Sequence, residues 1–388
     1  MVPNVSLAEL LDLSQYGLSV SSVDNGQYPM FKMNNFRNGF MSEEGVDRVN
    51  LGETEFEKYR LEYGDILFNR TNSIDLVGKT GIFTLEGDYV FASYLVKLKV
   101  NRDVADPFYL NYFMNFDATK LRLRSLATKA VSQANINPTQ LKKLLKVPLL
   151  PLPEQRKIAK ILSTWDKAIT TTEKLIETSK QQKKALMQQL LTGKKRLVNP
   201  ETGKAFEGEW KFSQFNELYK VANNKATQVK SGEYLESGRT PIVDQGKSIV
   251  GGYTNNEITY KDLPVIVFGD HTRIVKWVDF EFAQGADGTQ VLKSHKSMDE
   301  KFAYYVLLNT DIPNLGYSRH MRELKERDFK YPISKVEQQK IASVLTAADK
   351  EIEVLEAKLA HFKQEKKALM QQLLTGKRRV KVDEDVAA

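Results

Sequence analysis

Twelve residues, KKALMQQLLTGK, stand at Lys183–Lys194 and stand again at Lys366–Lys377. They end a longer match. EQRKIAKIL at Glu154–Leu162 recurs as EQQKIASVL at Glu337–Leu345, at the same offset of 183 residues. One ungapped segment, Glu154–Arg196, thus returns as Glu337–Arg379 with roughly 25 of 43 positions identical. Such a match means internal duplication, so the fold must offer two equivalent environments to one kind of segment.

The spacing within each copy predicts a long helix. Ile158, Leu162, Trp165, Ile169, Ile176, Leu186 and Leu190 lie on one line of the first, with Thr172, Ser179 and Lys183 completing it. Ile341, Leu345, Ile352, Leu355, Leu359, Phe362, Leu369 and Leu373 lie on the same line of the second, with Ala348 and Lys366. Steps of four and three alternate, which is the seam of a coiled coil. Both copies reach Thr-Gly, so Gly193 and Gly376 are expected just past the helix ends, followed by basic residues. Pro151 and Pro153 punctuate the first start, and Ser334-x-x-Glu337 reads as a capping box for the second. Forty residues of helix span about 60 Å. The two helices are expected to pair; the seam fits either direction, and the symmetry of a duplicated pair favours antiparallel.

Between the helices lie stretches of domain size. GDILFNRT, KTGIFTLEGDYVFASYLVKLKV, TPIVDQGKSIVGGYT and LPVIVFGDHTRIVKWVDFEFAQGADGTQVLKS are β-rich with turn signals. DPFYLNYFMN and EKFAYYVLLNT are helical and aromatic, and Phe108, Tyr109, Tyr112, Phe113, Tyr304 and Tyr305 fall at core spacing. The fold class is α/β (α+β): two mixed globular domains separated by two long helices. The boundaries are a first domain at 1–150, the first helix at 151–196, a linker at 197–209, a second domain at 210–333, the second helix at 334–379, and a disordered acidic tail at 380–388. The domains match in layout and hardly at all in letters.

The chain has 388 residues and no cysteine, which excludes disulfides and thiolate metal sites and suits a reducing cytoplasm. No apolar run approaches the ~20 residues of a membrane span, and the N-terminus lacks a signal peptide's pattern. Lys and Arg number 57 against 49 Asp and Glu, and the basic balance permits a nucleic-acid partner. No metal-binding spacing surrounds His271, His295, His320 or His361, and no phosphate loop or dinucleotide fingerprint is present. Asn137-Pro138 lacks the second proline and aromatic of an adenine-methylase motif, and reads as a turn and helix start that Thr139 can cap. Asp270-His271-Thr272-Arg273 has no nucleophile beside it and reads as a recognition loop. No catalytic, cofactor-binding or metal-binding residue is assigned.

PLPEQRKIAKIL and VEQQKIASVL at the helix starts, ALMQQLLTGKKR at the helix end, and the domain–helix–domain–helix order resemble the specificity subunit of type I restriction–modification enzymes. GDILFNRTNS and VIVFGDHTR are similar to stretches of that family's target-recognition domains. The resemblance covers essentially the whole chain. It implies two target-recognition domains, each reading half of a bipartite duplex DNA site, and helices pairing antiparallel as a ruler between them. It implies two methyltransferase partners using S-adenosylmethionine for adenine-N6 methylation, and two motor-nuclease partners using ATP and Mg2+. The subunit itself is then non-catalytic and holds no cofactor. A subunit of a type IIG- or IIB-like system and a coiled-coil scaffold without DNA are the alternatives.

Four stretches carry the side chains suited to bases and phosphates. The first offers Asn69, Arg70, Thr71, Asn72, Ser73, Lys79 and Thr80. The second offers Lys120, Arg122, Arg124, Lys129, Gln133 and Asn135; the third His271, Thr272, Arg273 and Lys276; the fourth Tyr317, Arg319, His320 and Arg322. Gln188, Gln189, Gln371 and Gln372 recur unchanged near the helix ends and are candidates for partner contact.

Overall fold

A computed structural model of the chain describes residues 2–129, 133–314, 316 and 318–382. The chain divides into two compact units, residues 1–172 with 358 onward, and residues 173–357. The division cuts both long helices, Leu152–Leu190 and Lys335–Leu373. Each unit therefore holds one globular domain, the first half of the helix that follows it, and the last half of the other helix. Of the expected acidic tail, Asp383 onward lies outside the described residues.

In the first unit a sheet runs in the order Leu11–Tyr16, Leu95–Val100, Ile66–Asn69, Thr80–Ile82, Phe40–Met41, Phe36–Arg37. A second sheet joins Val90–Phe91, Tyr28–Phe31 and Asp47–Val49. In the second unit the matching sheets are Tyr219–Val221, Thr289–Ser294, Val265–Gly269, Val275–Val278, and Gln228–Val229, Ala283–Gly285, Thr240–Val243, Gly252–Thr254. Parallel pairing recurs at the same place, Val90–Phe91 on Tyr28–Phe31 and Ala283–Gly285 on Thr240–Val243. The two domains thus share a topology that their letters conceal. The central strands Ile66–Asn69 and Val265–Gly269 are buried on both faces, and many different apolar residues satisfy that demand.

One core in each unit joins sheet, aromatic helix and both long helices. In the first, Ile66, Phe68, Val96 and Leu98 pack with Tyr109, Phe113, Ile158, Leu162 and Leu373. In the second, Ile266, Phe268 and Leu292 pack with Phe302, Tyr305, Ile341, Leu345 and Leu190. Burying each such side chain contributes about 1.5–3 kcal/mol. The ends of the predicted seam therefore serve the domains as well as the helix pair. Tyr109, Tyr112, Phe113 and Tyr305 are buried, as core spacing requires; Phe108 and Tyr304 are half-buried.

Helix pairing is antiparallel inside each unit, because residues early in one helix meet residues late in the other. In the first unit Arg379 forks onto Glu154, and Lys366 meets Asp166. Trp165 and Phe362 pack edge to face at 5.5 Å. In the second unit Arg196 forks onto Glu337 at 2.6 and 2.8 Å, and Lys183 meets Asp349. Each aspartate also accepts a tyrosine hydroxyl from its domain, Tyr112 on Asp166 at 2.6 Å and Tyr305 on Asp349 at 2.7 Å. The seam lysines lie over those same rings, Lys366 on Tyr112 and Lys183 on Tyr305. Every duplicated letter here has a duplicated contact.

Buried Gln155 and Gln338 lock each helix start to its domain. Gln155 donates to the Leu150 carbonyl and accepts from the Asp106 amide; Gln338 donates to the Pro332 carbonyl and accepts from the Asp299 amide. Asp106 and Asp299 in turn cap the aromatic helices, accepting from Tyr109 and Phe302.

Two expected caps differ. The Ser334 hydroxyl accepts from the Glu337 amide, but both Glu337 carboxylate oxygens go to Arg196, so the reciprocal half of the box is not made. A charged fork outcompetes a neutral amide for the carboxylate. At Asn137-Pro138 the cap is Asn137, whose side chain accepts from Thr139 and Gln140, with Pro138 at the first helical position. Gly193 and Gly376 end the helices at φ +72° and +68°, and a Cβ at Gly376 would stand 2.7 Å from Val2. Among the described residues no helix is long and apolar enough to cross a membrane.

Candidate nucleic-acid interface

In the first unit two stretches about 60 residues apart converge. Thr71–Asn72, Ala134–Asn135 and Thr128–Lys129 form one three-stranded sheet. Asn135 donates to the Thr71 hydroxyl at 2.8 Å, the Ile136 amide to the Arg70 carbonyl at 2.8 Å, and Arg124 to the Asp75 carbonyl at 2.8 Å. Cations gather beside this sheet. Burial lowers the pKa of Lys120; Asp117 opposes that shift, and Arg124, Lys366 and Lys79 reinforce it. Ser73, Lys79, Arg122, Lys129 and Gln133 are exposed, and Arg70, Asn72, Lys120, Arg124 and Asn135 half-buried. The Arg70 guanidinium lies 4.9 Å from the Tyr16 ring centre.

The remaining candidates of this unit stand beneath that surface. Asn69, Thr71 and Thr80 are buried at 0%, 9% and 1% exposure. The strand Ile66–Asn69 is covered on both faces, so Asn69 continues the interior run instead of opening the loop. Neither atom of its carboxamide has a hydrogen-bond partner.

The third and fourth stretches converge in the second unit. The His271 Nδ1 contacts the Ser318 carbonyl at 3.2 Å, and the Asp270 carboxylate accepts from the Met321 amide at 2.6 Å. Arg273 sits in the left-handed region at φ +60° and donates to the Ile312 carbonyl at 2.8 Å. Thr272, Arg319 and Arg322 are exposed, and His271 and Arg273 half-buried. Tyr317 lies outside the described residues.

Two candidates here are interior. His320 has no exposed surface; its backbone amide and ring nitrogen meet the Asp270 carbonyl, where it joins the loop to the helix Met321–Lys325. Lys276 is 5% exposed, and its ammonium donates to the Asp244 and Ser248 carbonyls. Val275–Val278 is the edge strand of its sheet, and the loop 244–251 folds over Lys276, which pins that loop from within.

That loop is the part of the site sequence reasoning missed. Gln245 accepts from the His271 amide at 3.1 Å, donates to the Asp287 carbonyl at 3.1 Å, and takes the Thr272 hydroxyl on its own carbonyl at 2.6 Å. It ties three loops together and presents Lys247 and Ser248 beside them, both exposed. The signal was the polar run DQGKS between two strands, read only as a turn.

Comparisons with known proteins agree with one another. The family described as "Type I restriction modification DNA specificity domain" matches residues 4–180 and 207–364. A Methanocaldococcus jannaschii protein named as the MjaX type I restriction enzyme specificity subunit is 30% identical, over 97% of this chain and 93% of its own. The MjaVIII specificity subunit of the same organism is 27% identical over 81% of this chain and 79% of its own. Among solved structures, the type I system S subunit from M. genitalium is similar in fold at a TM-score of 0.66, with 17% identity and 96% of each chain covered.

Proposed function

The chain belongs to the family of type I restriction–modification DNA specificity subunits, and from that premise we propose which of its surfaces read DNA and what it assembles with. It is a non-catalytic subunit with two target-recognition domains, and specificity subunits of this type bind DNA and assemble with other subunits. Each domain reads one half of a bipartite duplex site. The observation that carries the assignment is convergence: in each unit two polar, cationic stretches distant in sequence share one surface.

In the first domain Arg70, Asn72, Arg122 and Gln133 supply base contacts, and Lys79, Lys120, Arg124 and Lys129 hold phosphates. In the second, His271, Thr272, Arg273 and Arg319 face the bases. Arginine forks to guanine and Asn or Gln to adenine, whereas lysine meets phosphate as a point charge. The buried candidates support these loops from behind. Two methyltransferase subunits dock on the duplicated helices, with Gln188, Gln189, Gln371 and Gln372 exposed at matching positions; two motor-nuclease subunits complete the restriction enzyme. S-adenosylmethionine, ATP and Mg2+ belong to those partners.

The test is selection of bound sites from a random duplex library, across a salt series, using the assembled methylase. Arg273→Ala should relax specificity in one half-site alone, by ~1–3 kcal/mol at the base it reads. Lys129→Ala should weaken all sequences alike and reduce the salt slope by about one charge. Uniform loss with Arg273→Ala, both half-sites staying fully specified, would remove it from the reading set.

A further inference from the structure

A cleft of about 600 Å³ opens in the first unit between its domain and the first long helix. Arg156, Lys160 and Lys167 line its helix side, and Phe40, Tyr63 and Phe108 its domain side; Asp106 and Asp166 also reach it, but Asp106 is held by the Tyr109 amide and Asp166 by Tyr112 and Lys366. The three cations fall within about 40° of one another around the helix, on the face opposite Ile158, Leu162 and Trp165. All three are exposed, and none has an ion-pair partner among the described residues. Tyr63 is 58% exposed, and its ring stands 5.8 Å from that of Phe108.

The duplication supplies an internal control. At the 183-residue offset Arg156 becomes Gln339, Lys160 becomes Ser343 and Thr170 becomes Glu353; only Lys167 keeps its charge, as Lys350. Counted from the capping aspartates, Phe108 corresponds to Lys301, whose ammonium lies 4.2 Å from the Trp277 ring centre. The ion pairs and tyrosine contacts of the helices recur in both units, yet Arg156, Lys160 and Phe108 of this lining do not.

We propose that the cleft binds an acidic segment of a protein partner, anchored by an aromatic or aliphatic side chain, and so makes the two methyltransferase docking sites unequal. Complementary charge requires carboxylates opposite three unpaired cations, and the aromatic wall takes an apolar anchor. The volume suits a few side chains of a peptide. A duplex is the poorer fit, since three cations on one helix face opposite aromatic side chains offer few phosphate contacts and an apolar wall that a phosphate backbone does not use. The proposal rests on the methyltransferase partnership given above.

The experiment titrates the methyltransferase subunit into the full chain and reads occupancy by mass photometry. The unaltered chain should fill in two steps, the first tighter by about tenfold or more. Arg156→Glu with Lys160→Glu and Lys167→Glu should abolish that difference while both copies still bind. Phe108→Lys, which copies the other unit and leaves the helix intact, should do the same in part. Gln339→Glu with Ser343→Glu should leave the tight step unchanged. Two equal steps in the unaltered chain, or a tight step indifferent to the cleft variants, overturn the proposal. So does loss of DNA affinity with assembly intact, which would make the cleft a phosphate site. Failure to bind any methyltransferase subunit would sink the partnership itself, a separable result.

Discussion

Gln245 ties its own loop to two others and reaches no base in our assignment, so its removal should blur reading without disturbing the core. Gln245→Ala is expected to cut discrimination at the second half-site about tenfold, ~1.4 kcal/mol, and to leave the first half-site intact. Site selection with both half-sites scored separately checks this; equal loss in both would show a global defect. Glu154 makes a different prediction. Burial pushes its pKa up, but the Arg379 fork and the Val380 amide outweigh that and hold it below the ordinary value of 4.5. A depressed folded pKa gives stability above pH 4.5 that is lost as pH falls through the folded value. The melting temperature of the native protein should therefore exceed that of Glu154→Gln near neutral pH and converge with it on acidification. A gap that stays constant with pH would refute the ionic origin. At this scale the sequence was least informative. Residue type told which side chains suit DNA, but Asn69, Lys276 and His320 look as polar as Ser73 or Arg319 until the strand and helix ends bury them.

The long helices were legible at the scale of elements because a heptad line and terminal glycines are local signals. Their direction was not in the apolar seam, which fits either way, but in the symmetry of the duplication, which favours antiparallel; the pairs Glu154 with Arg379 and Asp166 with Lys366 show that direction within one unit, and their counterparts within the other. Lys183 and Lys366 explain why two seam positions are charged: each finds an aspartate on the facing helix and a tyrosine ring from the domain. One readable signal was passed over. Asn38-Gly39, both at positive φ, joins Phe36–Arg37 to Phe40–Met41, the hairpin such a pair encodes. If the helices set the distance between half-sites, inserting seven residues into both should add about 10 Å of helix. Methylome sequencing should then show a longer unspecified spacer between unchanged half-sites. Changed half-sites with an unchanged spacer would end the ruler idea.

For the whole molecule, the duplicated contacts make one half of the chain a substitute for the other. Residues 1–196 contain Glu154, Asp166 and Tyr112, and also Lys183 and Arg196, the counterparts of Lys366 and Arg379. That fragment should dimerise, each copy supplying the helix end the other lacks. Arg196→Glu should weaken the dimer, by placing a second carboxylate against Glu154, and adding Glu154→Arg should recover part of it; sedimentation equilibrium reads both, and a monomeric fragment would contradict the expectation. The split of the first unit also has a consequence in time. Its last helical half is made 186 residues after Thr172, while the second unit is one unbroken stretch. At about 5–20 residues per second, synthesis leaves Ile158 and Leu162 without Leu373 for roughly 10–40 s. A chain ended at Ala357 and held on the ribosome by an added linker long enough to clear the exit tunnel should carry a protease-resistant second unit behind a first unit still open to cleavage. The part of the protein that is born first is thus the part that finishes last.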